Sequence, residues 1–159
     1  MTSFYRVDNR LVHGQIISTW MPHLRVKHFL IVSDTVPENQ LQMAMFRMAI
    51  PSEREFHALD VAEAAKWLNA RRKSPESVMV LFESIADASR LFESGHPYPV
   101  LNIGNIHHEL GKQQLTSAVY LGREEIDCLQ RLFQRGLRAN IQTLPSETPI
   151  DLQRRLEAG

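Results

Sequence analysis

Val78-Met79-Val80-Leu81-Phe82 is an uninterrupted run of five apolar residues in the middle of the chain. Side chains of a strand alternate between the two faces of a sheet, so a strand with one solvated face alternates apolar and polar residues. A run without that alternation predicts a strand that is covered on both faces, as in a parallel sheet packed between helices.

Similar short runs alternate with longer amphipathic stretches along the whole chain. The other strand-like runs are 4–7, 29–32, 54–58, 100–103, 118–121 and 140–144. The helical patterns cover 14–24, 37–49, 61–72, 85–94 and 124–134. Repeated strand–helix units predict an α/β fold with three layers, α/β/α, in which a mainly parallel, open and twisted sheet has helices on both faces. We expect residues 1–159 to form a single domain.

The composition excludes several classes of protein. Lys plus Arg and Asp plus Glu number 18 each, so no net charge favours nucleic acid or a membrane surface. No apolar run approaches the roughly 20 residues of a membrane span. The only cysteine, Cys128, suits a reducing compartment. These features predict a cytoplasmic protein with no nucleic-acid partner.

The residues that follow the first run carry the strongest functional signal: Arg6-Val7-Asp8-Asn9-Arg10-Leu11-Val12-His13-Gly14-Gln15. They connect a predicted strand to a predicted helix, whose first N–H groups favour an anion. Arginine side chains match phosphate oxygens, and neutral imidazole is a nucleophile near pH 7. The stretch predicts phosphoryl transfer through His13. A simpler alternative is a surface ion pair between Arg6 and Asp8, with His13 at the end of a turn.

The string Arg-x-Asp-x-Arg-Leu-x-His-Gly-Gln, followed by Trp20, resembles the N-terminus of the IIB subunits of the mannose/sorbose family of the bacterial sugar phosphotransferase system. The resemblance extends through Ser33-Asp34, Asn102 to His107, Gly136, Gln142 and Pro145. It implies that His13 is phosphorylated, with Arg6, Arg10 and Asp8 as further catalytic residues in a basic, exposed rim.

The resemblance also implies a relay, a protein-N(pi)-phosphohistidine–sugar phosphotransferase activity. A IIA phosphohistidine protein donates to His13, and phospho-His13 donates to a sugar held by membrane IIC/IID subunits. It implies a cytoplasmic protein that associates peripherally with that complex, with no cofactor and no metal. The segment 102–107 is similar to members specific for N-acetylgalactosamine, but the transported sugar and a homo-oligomeric state stay open.

Further polar residues follow other predicted strands at the same expected edge of the sheet. Backbone N–H groups of Gly14 and Gln15 are the first phosphate-binding candidates. Four more residues are expected to join them: Asp34, Ser84, Asn102 and Gly104.

Other features receive structural interpretations. Met45 and Met48, three residues apart, are expected in the core. His107-His108-Glu109 lacks a recognised metal spacing. His23, His28, His57 and His96 are interpreted as structural or surface residues. Two alternative functions remain: a regulatory phosphohistidine protein without sugar transport, and a nucleotide-binding α/β domain, which the lack of a glycine-rich loop disfavours.

Overall fold

In a computed structural model, which describes residues 2–158, seven strands form one sheet and two short strands form a separate hairpin. The sheet contains β1 (Thr2–Asp8), β2 (His28–Val32), β3 (Glu55–Leu59), β4 (Ser77–Phe82), β5 (Val100–Asn105), β8 (Arg138–Ile141) and β9 (Ile150–Asp151). The hairpin contains β6 (Gln113–Gln114) and β7 (Tyr120–Leu121).

The sheet has the order β3-β2-β4-β1-β5-β8-β9, and all its pairs are parallel except that of β8 with β9. The prediction of a mainly parallel sheet is confirmed. The run 118–121 differs, because only two of its residues form a strand, and they pair antiparallel with β6 outside the main sheet. Val119 of the same run forms only an isolated parallel bridge, with Ile106 just after β5.

Helices connect the strands near the predicted positions. The first helical segment begins at residue 14 and contains a π-helical turn, Ile16–Trp20, that continues into α1 (Met21–Leu24). The others are α2 (Gln40–Ala49), α3 (Val61–Ala70), α4 (Ile85–Glu93), α5 (Arg123–Gln134) and α6 (Leu152–Ala158). None of the helices within residues 2–158 is both long enough and apolar enough to cross a lipid bilayer.

Two apolar clusters cover the two faces of the sheet. On one face, Phe29, Ile31 and Leu81 pack with residues of the first helical segment and of α2. On the other face, Leu30 and Val80 pack with residues of α3, α4 and α5. Neighbouring residues of one strand therefore belong to different clusters, which explains why β2 and β4 carry no polar alternation. The three-layer α/β/α architecture is confirmed.

The interior position of β1 places its carboxyl end at a switch in chain direction. From β1 the chain passes through the first helical segment to β2, whereas from β5 it passes through α5 to β8 on the other side of β1. Adjacent parallel strands whose connections leave in opposite directions create a crevice at their carboxyl ends, where α/β proteins bind ligands.

The structure of the second helix differs from two sequence predictions. The expected helix 37–49 is interrupted at Asn39, whose extended backbone and side chain cap α2 by accepting a hydrogen bond from the Gln42 N–H at 3.0 Å. Met45 and Met48 were expected in the core, but they are 58% and 87% exposed. The core side of this helix is instead occupied by Phe46, with Met43 packed against the same cluster.

Candidate functional site

A tight turn after β1 returns the chain towards the strand end, so that His13 faces Asp8. The Leu11 N–H donates to the Asp8 carbonyl at 2.9 Å, and Leu11 has the left-handed backbone angle φ of 57°. That conformation costs a non-glycine residue roughly 1–2 kcal/mol. The Leu11 side chain is buried in the apolar cluster below the turn, which opposes this strain.

The Asp8 carboxylate is fully buried and is the centre of the site. Its Oδ2 lies 3.0 Å from His13 Nε2, 3.3 Å from Arg10 Nη2 and 3.4 Å from Arg6 Nη2. Its Oδ1 accepts from the Arg10 backbone N–H at 3.0 Å and from Arg10 Nε at 3.2 Å. One carboxylate therefore holds the histidine and both arginines.

The charge of Asp8 determines which nitrogen of a neutral His13 ring carries the proton. Burial acts to raise the pKa of Asp8, but hydrogen bonds from His13 and Arg10 outweigh it and lower the pKa to about 2. An ionised carboxylate only accepts hydrogen bonds, so the proton of a neutral His13 ring belongs on Nε2. The lone pair is then on Nδ1, on the side of the ring that faces away from Asp8.

Arg6 differs from the expectation of an exposed arginine in the rim, because its side chain is fully buried. Besides Asp8, its guanidinium donates to Asn102 Oδ1 at 2.6 Å and to the carbonyls of Gln142 at 2.9 Å and Thr143 at 3.2 Å. The expectation was wrong because the ten-residue polar motif does not reveal the acceptors that the chain supplies just after β8. Arg6 can neutralise Asp8 but has no exposed surface for an incoming partner.

Gly104 and Asn102 both determine the position of the Arg6 side chain. A methyl group built at Gly104 would lie 1.9 Å from Arg6 Nη2, so only glycine leaves room for the guanidinium. Asn102 accepts from Arg6 and donates to Asn140 Oδ1 at 2.8 Å, and it is 1% exposed. Both residues were predicted at this edge, but their described contacts position Arg6 rather than reach His13.

The exposed side of the site consists of Arg10, Gly14 and Gln15, which are all solvent-accessible, with His13 partly buried between them. The Arg10 and His13 side chains are 35% and 15% exposed. The first N–H groups of a helix lack acceptors within that helix and carry partial positive charge. This side can therefore hold an anion next to Nδ1.

Asp34 and Ser84 lie at the same sheet edge but have other partners. Asp34 forms an ion pair with Arg90 at 2.6 Å, and Ser84 caps α4 by accepting from the Asp87 N–H at 3.2 Å. Within residues 2–158, no hydrogen bond or ion pair joins either of them to His13.

Sequence reasoning assigned no role to Asn9, which connects three loops at this edge. Its N–H donates to the Asn105 carbonyl at 3.0 Å, its side-chain amide donates to the Glu83 carbonyl at 2.8 Å, and its Oδ1 accepts from the His107 N–H. The available signal was its place within the polar motif between Asp8 and Arg10. Asn9 thus fixes the loops after β4 and β5 to the turn that carries His13.

Trp20 is a second residue whose role the sequence analysis missed, because it was named there only as part of the motif. Its indole Nε1 donates to the Thr143 carbonyl at 3.0 Å, and the Arg6 guanidinium carbon lies 5.0 Å from its ring centroid. Trp20 therefore joins the first helical segment to the loop after β8 and covers Arg6.

One protein family accounts for almost the whole chain. The family model described as "PTS system sorbose subfamily IIB component" matches residues 2–158. The match includes every residue of the site described above.

The chain is also similar to individual proteins of this family. The N-acetylgalactosamine-specific phosphotransferase enzyme IIB component 1 of Escherichia coli (strain K12) is 28% identical over 144 residues, 89% of this chain and 90% of that protein. The mannose-specific EIIAB component of the same strain is 27% identical over 147 residues, 92% of this chain but 46% of that protein, so the chain spans about half its length. The crystal structure of the IIBSor domain of the sorbose permease from Klebsiella pneumoniae has a TM-score of 0.90, 24% identity and coverage of 99% and 98% of the two chains. The last comparison shows the shared fold.

Proposed function

The chain belongs to the family of PTS sorbose-subfamily IIB components, and from this premise we propose that it accepts a phosphoryl group on His13 and passes it to a sugar during transport. Membership in the family supports a role in phosphoryl transfer coupled to sugar transport. The roles of individual residues, the partner proteins and the cellular location are likewise proposed. We propose that residues 1–159 act as one IIB domain.

The single observation that carries the proposal is the contact between His13 Nε2 and the buried, ionised Asp8 carboxylate at 3.0 Å. This contact keeps the Nε2 proton in place and directs the Nδ1 lone pair away from Asp8. In the transfer, Nδ1 forms a bond to phosphorus while the P–N bond of the donor histidine breaks and returns its electron pair to the donor. No proton has to leave His13, because Nε2–H remains bonded to Asp8.

The positive groups have two different roles. Arg10 and the N–H groups of Gly14 and Gln15 would contact the phosphoryl oxygens, because they are exposed beside His13. Arg6 would act through Asp8, whose negative charge would otherwise repel the phosphoryl group. With two arginines around one carboxylate, the site has a net positive charge before the anion arrives.

The remaining candidates would support the site indirectly. Asn102 and Gly104 would hold Arg6 in position, as their contacts indicate. Asp34 and Ser84 would orient the neighbouring helices α3 and α4 through Val61 and Asp87. None of these assignments needs a cofactor or a metal, since the energy for transfer is present in the donor P–N bond.

The proposed partners are a phosphorylated IIA protein and membrane IIC/IID subunits that hold the sugar. The name of the EIIAB relative supports the IIA partner, because in that protein IIA and IIB share one name and one chain. We further propose a cytoplasmic protein that associates peripherally with the membrane complex. The names of the relatives include N-acetylgalactosamine, mannose and sorbose, so they do not favour one sugar.

The test is phosphorylation of the full chain by a phosphorylated IIA protein, followed by two-dimensional ¹H–¹⁵N NMR of the imidazole nitrogens. We expect one acid-labile phosphoryl group on Nδ1 of His13, and no label in His13→Ala. His108→Ala, which removes an exposed histidine from another loop, is the matched control and should be labelled normally. Label that persists in His13→Ala, or that is found on Nε2, would overturn the proposal.

A further inference from the structure

A second group of histidines and carboxylates lies at the opposite edge of the sheet. His28 begins β2 and Glu55 begins β3, and the two residues are register partners. His57 is two residues further along β3, so it shares a face of the sheet with Glu55 and His28. Glu76 directly precedes β4.

Three potential ligand atoms of this group converge on a small volume. His28 Nδ1 lies 2.8 Å from Glu55 Oε2 and 3.4 Å from His57 Nε2, and His57 Nε2 lies 3.7 Å from Glu55 Oε2. Tetrahedral zinc with bonds of about 2.0–2.1 Å holds its ligand atoms about 3.3–3.5 Å apart. The 2.8 Å distance between His28 and Glu55 would have to increase by about 0.5–0.7 Å, and the other two distances would change by about 0.4 Å or less, to give the spacing of zinc ligands.

A second carboxylate beside His28, that of Glu76, fits the same interpretation. Its other nitrogen, Nε2, lies 3.4 Å from Glu76 Oε2. A carboxylate that accepts the N–H of one ring nitrogen leaves the other nitrogen free to bind a metal, and this carboxylate–histidine arrangement is common at metal sites. Glu76 would therefore orient His28 while His28 Nδ1 serves as ligand.

The exposure and the charge of these side chains also suit a bound cation. His28 is 5% exposed, whereas the side chains of His57 and Glu55 are 29% and 52% exposed. A metal could enter from the exposed side, and water could complete its coordination. Two glutamates balance the charge of a divalent ion.

Aromatic and basic side chains pack around this volume. Trp67 of α3 packs against both imidazoles, with ring centroids at 5.4 Å from His28 and 4.8 Å from His57. The nearby Arg71 guanidinium stacks over the Trp67 ring at 3.9 Å and donates to the Trp67 carbonyl at 3.3 Å. These contacts direct the arginine towards the indole and the backbone.

We propose that His28, Glu55 and His57 form a binding site for a divalent transition-metal ion of the Zn²⁺ type, with Glu76 as the residue that positions His28. Two imidazoles and one carboxylate are a donor set that binds zinc with an open position for water. The site is separate from that of His13, because His28 is level with Ser3 through Val78, five residues before Asp8. Five strand residues correspond to roughly 16 Å.

The experiment is a titration of the metal-free, untagged full chain with Zn²⁺ in competition with a chromophoric chelator, repeated with Co²⁺ to record visible absorption. We expect one equivalent to bind, and the Co²⁺ complex to show the intense d–d bands of four-coordinate cobalt. His57→Ala should lower the Zn²⁺ affinity more than about tenfold, and Glu76→Gln should lower it about tenfold, as orienting carboxylates do.

Control variants distinguish this site from other histidines. His108→Ala removes an exposed histidine elsewhere, and His13→Ala removes the histidine of the candidate phosphoryl site, so both should bind one Zn²⁺ as the parent does. Because His28 is buried, the test uses the accessible His57 and Glu76, with circular dichroism to show that the variants are folded. No one-equivalent binding, unchanged binding by His57→Ala, or loss of binding in His13→Ala would overturn the proposal.

Discussion

The two edges of the sheet each place histidine beside carboxylate, yet the two groups have opposite composition. At the carboxyl edge, one buried carboxylate, Asp8, is surrounded by donors from His13, Arg10 and Arg6. At the amino edge, one buried imidazole, His28, lies between two partly exposed carboxylates, Glu55 and Glu76. The first group has an excess of positive charge, and the second has an excess of negative charge.

This difference decides what the histidine can do. With a single carboxylate partner, His13 keeps one nitrogen free for chemistry with an anion, and the arginines neutralise Asp8. With a carboxylate at each nitrogen and a second imidazole nearby, His28 contributes to a volume that suits a cation. Residue type alone therefore does not define the chemistry of these histidines, whereas the balance of charges and their burial does.

The largest expected effect is that of Asp8→Asn on phosphoryl transfer. The amide can donate to His13 Nε2, which would move the ring proton to Nδ1 and remove the nucleophile. Replacing an orienting aspartate by asparagine costs up to about 10⁴-fold elsewhere, so we expect transfer to slow by about 10²–10⁴-fold. The measurement is the initial rate of phosphorylation by phospho-IIA, on protein shown to be folded.

Asp34→Asn is the matched control, because Asp34 lies at the same edge but pairs with Arg90. It should keep the rate within about threefold of the parent. If Asp8→Asn also stays within threefold, Asp8 does not determine the reactive form of His13, and the contrast between the two edges fails.

Gly104→Ala tests whether tight packing around buried Arg6 distinguishes the carboxyl edge. The added methyl group would overlap the guanidinium, so the arginine must leave its acceptors or the strand must shift. We expect a loss of about 3 kcal/mol in the free energy of unfolding, at the upper end for overpacked sites, measured by urea denaturation. Gly14→Ala, where nothing lies within 4 Å of the added group, should change stability by less than about 1 kcal/mol. Equal stability of the two variants would show that Arg6 is not tightly held.

The pH dependence of stability provides a third comparison. The pKa of Asp8 falls from an ordinary 3.8 to about 2 in the folded protein. The corresponding stabilisation, about 2 kcal/mol, is present above pH 4 and is lost as the pH falls towards 2, because the unfolded chain takes up the proton first. Urea denaturation between pH 5 and 3 should show a smaller decline for Asp8→Asn than for the parent. An equal decline in the free energy of unfolding of the two proteins would contradict the assignment of an ionised, strongly hydrogen-bonded Asp8.

Arg10→Lys should have a smaller kinetic effect. Arg10 approaches the two oxygens of Asp8 with Nε and Nη2, a forked arrangement that lysine does not reproduce. Lysine retains the charge, so we expect about tenfold slower transfer and a stability change of about 1 kcal/mol. Single-turnover phosphorylation and urea denaturation measure the two effects. A parent-like rate would assign Arg10 to structure alone.

The smallest effect is expected at the amino edge, for Glu55→Gln in metal-free protein. Glu55 is about half exposed, and exposed ion pairs contribute little, so the free energy of unfolding should change by less than about 1 kcal/mol. A loss as large as that of Gly104→Ala would show that this group serves the stability of the fold, and would remove the contrast with the carboxyl edge.

The approximate positions of the strands and the layering follow from sequence signals that act locally, whereas the order of the strands in the sheet does not. The apolar run 78–82 predicts a doubly covered strand because both of its faces must be apolar, whatever its neighbours are. The N-cap residues Asp60 and Ser84 similarly mark the starts of α3 and α4. In contrast, Met45 and Met48 look suitable for a core, and only the direction in which α2 packs leaves them in solvent.

In the candidate site, too, the sequence revealed some features and only the packing of the folded chain decided others. The polar motif placed His13, Asp8, Arg6 and Arg10 near one turn, because His13 follows Asp8 by only five positions in the sequence. It did not reveal that Arg6 would be buried, since its acceptors Gln142 and Thr143 are more than 130 residues away in sequence. It also gave no sign of the group formed by His28, Glu55 and His57, which have no common spacing.

The sequence by itself determined the class of fold and the turn that carries His13, because strand and helix periodicity and short-range polar motifs depend on neighbouring residues. Tertiary structure alone decided which nitrogen of His13 is free, that Arg6 is withdrawn from solvent, and that three side chains from two strands converge at the amino edge. The physical reason is that charge balance and burial depend on side chains from strands that are distant in sequence and adjacent only in the folded sheet.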